Sequence, residues 1–255
     1  MKKLKQFIYM FSSVLVLIVS SSPFTTYGLN WSVIRETDHK QPTCEPNLSF
    51  IEKYDGYYLD KNATEDDKVI YLTFDAGYEN GNIEKILVSL KKHNAKGAFF
   101  VLENLVLRNT DLIKRMTSEG HLVCNHTAKH PDMSTKDFDA FKAELEKMES
   151  IYYEHTSNKI APYYRPPEGK FSEDNLKHAS RLGYKTIFWS FAYADWDNNK
   201  QPSEEYAIKK ILDNTHNGMI ILLHPTSATN AAIMDRLLTH WENEGYRFGS
   251  LDELK

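Results

Sequence analysis

Cysteine is scarce in this chain: Cys44 and Cys124 are the only two in 255 residues, too few for a small scaffold stapled by disulfides. Cys124 sits in an apolar run and reads as a buried free thiol, while a bridge from Cys44 to Cys124 stays open in an oxidising compartment. Basic tracts are missing, and the formal net charge is −4, which argues against a protein built to hold phosphate backbones. No internal repeat or low-complexity segment appears. Long hydrophobic runs are also lacking, since the stretch from Phe7 to Val19 falls short of the roughly 20 apolar residues that a membrane span needs.

That short run is informative in another way. Lys2, Lys3 and Lys5 precede it, Ser20, Ser21 and Ser22 follow it, and small residues Thr26 and Gly28 suit cleavage after Gly28, so residues 1–28 read as a secretory signal peptide. An uncleaved N-terminal anchor is the alternative; with either, the remainder is expected outside the cytoplasm, secreted or in the cell envelope. Removing residues 1–28 moves the formal charge from −4 to −7 and leaves 227 residues, enough for one domain with a full core.

Residues 29–67 have mixed polarity, contain Pro42 and Pro46, and show little periodicity, so they are expected to form an arm packed on the domain. From residue 68 to 255 the pattern becomes regular. Short β-rich runs at 68–75, 97–102, 121–125, 162–165, 184–191, 219–224 and 246–249 alternate with stretches of helical period. Ile83, Ile86, Leu87 and Leu90 mark one helix, and Ala207, Ile208, Ile211 and Leu212 another. Phe138, Phe141, Leu145, Met148 and Tyr152 mark a third, expected to start after Ser134. Seven strands alternating with helices predict an α/β fold with a parallel sheet, closed into a barrel, with an open doubly wound sheet as the second choice. In both, function belongs at the carboxyl ends of the strands.

Those ends carry an unusual inventory. The first strand ends in "LTFDAGYENG" with Asp75; the third leads into "NHTAKH" with His126 and His130; the fourth into "RPPEG" with Arg165; the fifth into "WSFAYADW" with Asp195 and Trp196; the sixth ends in "ILLH" with His224. Taken singly, each has an ordinary explanation: a helix cap for Asp75, an ion-pair partner for Arg165, a core position for Trp196 or His224, a polar loop for the two histidines. The four-residue spacing of His126 and His130 would put both rings on one face of a helical turn, which suits two ligands of one metal. Five such features at five strand ends point instead to catalysis.

Together these segments resemble the ordered motifs of the polysaccharide deacetylases with the NodB homology domain, carbohydrate esterase family 4. The likeness runs from residue 68 to about 250, and "TFDAGYENG", "RPPEG" and "WSFAYADW" are most similar to the subgroup that removes acetyl from N-acetylmuramic acid in forming the muramic δ-lactam of spore cortex. The resemblance implies a distorted (β/α)7 barrel and a hydrolase acting on peptidoglycan glycan strands; the acidic charge argues against a nucleic-acid partner, and a monomer without a protein partner is expected. It implies Asp75 as general base, held ionised by Arg165, and His224 as general acid, oriented by Asp195. It makes the backbone N–H of Glu168 an oxyanion donor, and Trp196 and Leu222 the walls of the acetyl slot. His126 and His130 would bind a divalent metal, zinc being the expected ion. The family usually places a second acid, a metal ligand, directly after the base; here that position is Ala76, which predicts weak metal binding. Glu168 stands where relatives often have arginine, the wrong sign for a lactyl carboxylate, with Lys129 or Lys170 able to compensate. The alternatives are deacetylation of N-acetylglucosamine in peptidoglycan or chitin-like oligomers, or a glycan-binding protein on a deacetylase scaffold with weak catalysis. A glycosidase built on two carboxylates is disfavoured, because histidines flank the acid best placed at a strand end.

Overall fold

The computed structural model describes residues 28–255. Its centre is an eight-stranded, all-parallel sheet made of β1 (Gly56–Tyr57), β2 (Val69–Ala76), β3 (Gly97–Val101), β4 (Leu122–Asn125), β5 (Ala161–Tyr164), β6 (Lys185–Ile187), β7 (Met219–Leu223) and β8 (Arg247–Phe248). The order is β7-β2-β3-β4-β5-β6-β1, and β8 pairs with Val69 and Ile70 of β2, below the point where β3 begins to pair at Leu72. Helices α1 (Asn82–Lys92), α2 (Glu103–Arg108), α3 (Thr110–Ser118), α4 (Phe138–Thr156), α5 (Glu173–Arg181), α6 (Glu204–Leu212) and α7 (Ala228–Asn243) connect the strands.

The sheet curls almost into a barrel. Beyond β6 the chain reaches β7 through single contacts: Phe191 bridges Ile221 in parallel, Ser190 N–H donates to Ile220 O (3.0 Å) and Leu222 N–H donates to Phe191 O (2.9 Å). The central strand β2, VIYLTFDA, is apolar along both faces because both are covered. Val69 and Tyr71 pack with Ala98, Phe100 and Ile220 on the inner face, whereas Ile70, Leu72, Phe74 and Ala76 pack with the helical layer. Alternation therefore carries Thr73 and Asp75 on the face of Val69 and Tyr71, and ends the strand with its carboxylate at the carboxyl end of the barrel.

Three sequence expectations are corrected. The central sheet has eight strands rather than seven, because Gly56–Tyr57 of the arm pairs in parallel with Thr186 and Ile187. The run 184–191 is regular only over Lys185–Ile187, since Arg165 Nε and Nη2 draw the carbonyls of Ile187 and Phe188 to themselves. Helix α4 starts at Phe138 and is capped by Asp137, whose side chain accepts from Ala140 N–H, while Ser134 donates to Asp132 in the preceding turn. Cys44 and Cys124 are both free thiols, the latter buried. The expected signal peptide lies outside the described residues except for Gly28, and no helix among those described is long and apolar enough to cross a membrane.

Candidate active site

A cleft of about 630 Å³ opens at the carboxyl ends of the strands, lined by Asp75, His126, His130, Glu168, Trp196, Leu222 and His224, together with Gly77, Leu102, Gly169, Trp189, Ala192 and Tyr193. Arg165 and Asp195 do not line it. They lie directly behind its walls, fully or almost fully buried, each bonded to a residue that does.

Arg165 is the hub of one wall. Its guanidinium donates from Nη1 to Asp75 Oδ1 (2.9 Å), from Nη2 to Thr73 Oγ1 (2.8 Å) and Phe188 O (3.2 Å), and from Nε to Ile187 O (3.0 Å), and it lies 4.1 Å from the centre of the Phe100 ring. A buried guanidinium with this many acceptors is satisfied and fixed. Burial alone would raise the Asp75 pKa, but the neighbouring cationic groups outweigh it and hold the carboxyl below the usual carboxylate range. Burial depresses His126 to about 4 and leaves its ring neutral at neutral pH, so Arg165 and His224 are the cations that remain.

His126 Nδ1 lies 2.9 Å from Arg165 O, which can only accept, so the proton sits on Nδ1 and the Nε2 lone pair is free, 3.5 Å from Asp75 Oδ2. The His130 ring stands 4.9 Å from it, edge to face. The two rings meet as the spacing suggested, but not on a helical turn: Thr127 and His130 have φ of 72° and 59°. The turn is built by Asn125 Oδ1 accepting from Thr127 N–H (2.9 Å) and Thr127 Oγ1 accepting from His130 N–H (2.9 Å). A β-branched residue at positive φ is strained by about 1–3 kcal/mol and persists where surroundings over-determine it.

The opposite wall is organised by Asp195. Its Oδ1 accepts from His224 Nδ1 (2.7 Å), and its Oδ2 from His224 N–H (2.8 Å) and Asn230 Nδ2 (2.6 Å). Burial disfavours charge on His224, yet the bond and charge of Asp195 prevail and raise its pKa. With Nδ1 committed, Nε2 is the atom left for the cleft. The Trp196 ring, 61% exposed, stands edge-on 6.2 Å from the imidazole, and Leu222 lies on the floor.

Glu168 adopts φ 56°, and its exposed carboxylate pairs with Lys170 Nζ at 2.6 Å. Lys129 is engaged elsewhere, with Glu103. Of the two candidate compensating cations, only Lys170 reaches the Glu168 position. Sequence reasoning passed over Thr73 and Asn230. Thr73 shares a strand face with Asp75 two residues away, which was readable; Asn230, at the first turn of α7, meets Asp195 only through the fold.

For a metal, the donor set is thin. His126 Nε2 and the His130 ring suit a divalent ion, but Ala76 is buried in the apolar layer that also holds Ala128 of the histidine loop. No group of three or more His, Cys, Asp or Glu side chains arranged to hold a metal ion is found among the described residues.

Comparison with known proteins agrees with this geometry. Residues 62–187 match the family profile described as polysaccharide deacetylase. The chain is 44% identical over 227 residues, 89% of its length and 85% of the relative's, to the peptidoglycan-N-acetylmuramic acid deacetylase PdaA of Bacillus subtilis. The solved structure of that PdaA, a family 4 carbohydrate esterase, superposes with a TM-score of 0.84 at 43% identity, covering 89% of this chain and 96% of the other. A family 4 carbohydrate esterase from Bacillus anthracis superposes at 0.72 with 33% identity, covering 89% and 96%. The peptidoglycan-N-acetylglucosamine deacetylase PgdA of Listeria monocytogenes is 34% identical over 187 residues, 73% of this chain and 39% of that longer protein. By its cleft, its curled parallel sheet and these relatives, the chain belongs to the polysaccharide deacetylases of carbohydrate esterase family 4.

Proposed function

We propose that this protein removes the N-acetyl group from N-acetylmuramic acid in peptidoglycan, outside the cytoplasm, in formation of the muramic δ-lactam of spore cortex. The observation that carries the chemistry is the pairing of two fixed groups across one cleft, Asp75 held by Arg165, which favours its ionised form, and His224 held by Asp195, which favours its protonated form. The choice of sugar rests on the identity to PdaA along nearly the whole chain.

An acetamide is a poor electrophile and water a poor nucleophile, so both partners need help. The substrate's acetyl methyl enters between Leu222 and Trp196, which places the carbonyl carbon within reach of a water beside Asp75. Asp75 takes a proton from that water as its oxygen bonds to the carbonyl carbon. The negative charge that develops on the carbonyl oxygen is met by the Glu168 N–H. His224 Nε2 then gives its proton to the sugar nitrogen, the C–N bond breaks, and acetate and a free amine leave. Family membership implies a divalent metal, zinc by its ligands: His126 Nε2 and His130 would hold it, and it would polarise the carbonyl and acidify water. Two protein ligands predict weak binding.

Glu168 supports a second reading, deacetylation of N-acetylglucosamine, because an acid at the cleft does not attract a lactyl carboxylate. Its pairing with Lys170 removes much of that objection. Mass spectrometry of purified peptidoglycan, with and without stem peptides, separates the readings. Loss of acetyl from muramic acid is expected; loss from glucosamine alone would favour the second, and no loss from either would reject both.

A further inference from the structure

We infer that Trp31, in the N-terminal arm, is a positioning residue for the general base, acting through the irregular segment that follows β6. This rests on the deacetylase reading of the cleft. Trp31 lies outside the residues that match the family profile, which begins at 62.

Three contacts tie it to the site. Its backbone N–H donates to Gly169 O (2.9 Å), its indole Nε1–H donates to Trp189 O (2.8 Å), and its ring stacks on Phe188 at 4.5 Å with 27° between planes. Gly169 and Trp189 line the cleft. The fit is close: a Cβ on Gly169, which has φ 67°, would lie 2.7 Å from the Trp189 ring and 3.2 Å from Trp31 Cβ.

Residues 188 and 189 lie past the last residue of β6; the Phe188 N–H still donates to Tyr57 O (2.7 Å), but the carbonyls of 188 and 189 go to Arg165 Nη2 and Trp31 Nε1 instead of a neighbouring strand. Yet Ile187 O and Phe188 O are two of the three acceptors, with Thr73 Oγ1, that orient Arg165 toward Asp75. The Trp31 indole clamps the next carbonyl in that series and stacks on the ring between. It thus fixes a stretch of backbone on which the direction of the guanidinium, and hence of the Asp75 carboxylate, depends. A half-buried carbonyl that loses its donor relaxes toward another partner, and small displacements of a reacting group cost rate out of proportion to their size.

The arm supplies its own control. Gln41 Nε2 donates to Asp60 O (3.0 Å) and Asn217 O (3.0 Å) at the amino-terminal end of the barrel, away from the cleft. The test compares Trp31→Phe, which keeps an aromatic ring on Phe188 but removes the N–H, with Gln41→Ala, using steady-state kinetics on peptidoglycan and the hydrogen-exchange rate of Arg165 Nε–H by NMR. Trp31→Phe is expected to lower kcat about tenfold with KM nearly unchanged and to speed exchange at Arg165 Nε; Gln41→Ala should lower the melting temperature and change neither. Unchanged kcat and exchange in Trp31→Phe, or equal loss in both variants, would overturn the inference. An inactive wild type would sink the deacetylase reading instead, and the exchange rates would still decide whether Trp31 holds Arg165.

Discussion

On one wall of the cleft, Asp75 is held by an arginine that is itself completely buried and bonded to three further acceptors inside the barrel. On the other, His224 is held by a carboxylate that takes two further donors from the His224 backbone and from α7, and the imidazole keeps about a quarter of its surface exposed. Both holders are buried; what differs is the held group, since Asp75 keeps 11% of its side chain exposed and His224 27%, so the base is seated more deeply than the acid. A nucleophilic water must be activated in one geometry only, which a rigid interior supplies. A departing amine can take its proton over a wider range of positions, and solvent can partly substitute.

That difference orders the expected damage. Asp75→Asn should cost about 10³-fold in turnover. It should also lower stability by about 3 kcal/mol, because Arg165 loses its only carboxylate among the described residues. His224→Ala should cost about 10²-fold with a smaller loss of stability than Asp75→Asn, since Asp195 keeps its backbone and Asn230 donors. Acetate-release assays and thermal melts read both quantities, and equal stability losses would erase the contrast between the walls.

Ala76→Asp probes the metal side of the base wall. A carboxylate placed in the apolar layer without a partner should lower the unfolding free energy by about 2 to 4 kcal/mol in the presence of chelator. If it gains an ion shared with His126 and His130, zinc at a hundredfold excess over Kd returns about 2.7 kcal/mol. Melts with and without zinc measure this, and titration calorimetry should find weaker binding to the unsubstituted protein. An equal zinc response in the two proteins would mean that residue 76 is not where the missing ligand belongs.

The acid wall has a pH signature. His224 has a raised pKa, so it keeps its proton above the ordinary histidine value and loses it as pH climbs through the raised one. Asp195→Asn removes the cause. The alkaline limb of the kcat profile should therefore move to lower pH, with about a tenfold loss of turnover near neutrality. By linkage, the stability supplied by the pair is fully present below about pH 6.5 and fades as pH rises through the raised value, so the variant's deficit should be largest in acid. The smallest expected effect is at Glu168→Arg, about threefold toward muramyl over glucosaminyl substrates, measured as a ratio of kcat/KM values.

Much of this arrangement is legible in the sequence. Strand periods placed Asp75, Arg165, Asp195 and His224 at strand ends, and a shared end of a barrel follows from parallel topology. The rest failed for identifiable reasons. Gly56–Tyr57 is two residues long and carries no alternation. The apolar run through Phe188 and Trp189 has strand composition, but Arg165 competes for its carbonyls. The histidine rings meet through two left-handed residues that spacing cannot reveal. Trp31 and Asn230 act across 158 and 35 positions of sequence, respectively, with local surroundings that carry no mark of it.

The most direct test of the two-wall account is the double variant Asp75→Asn with His224→Ala, assayed for acetate release from one defined peptidoglycan fragment beside each single variant. Groups that serve one reaction as base and acid are strongly non-additive. The account predicts that the double variant falls within about threefold of Asp75→Asn alone. A double loss equal to the product of the single losses, or single losses below about tenfold, would contradict it.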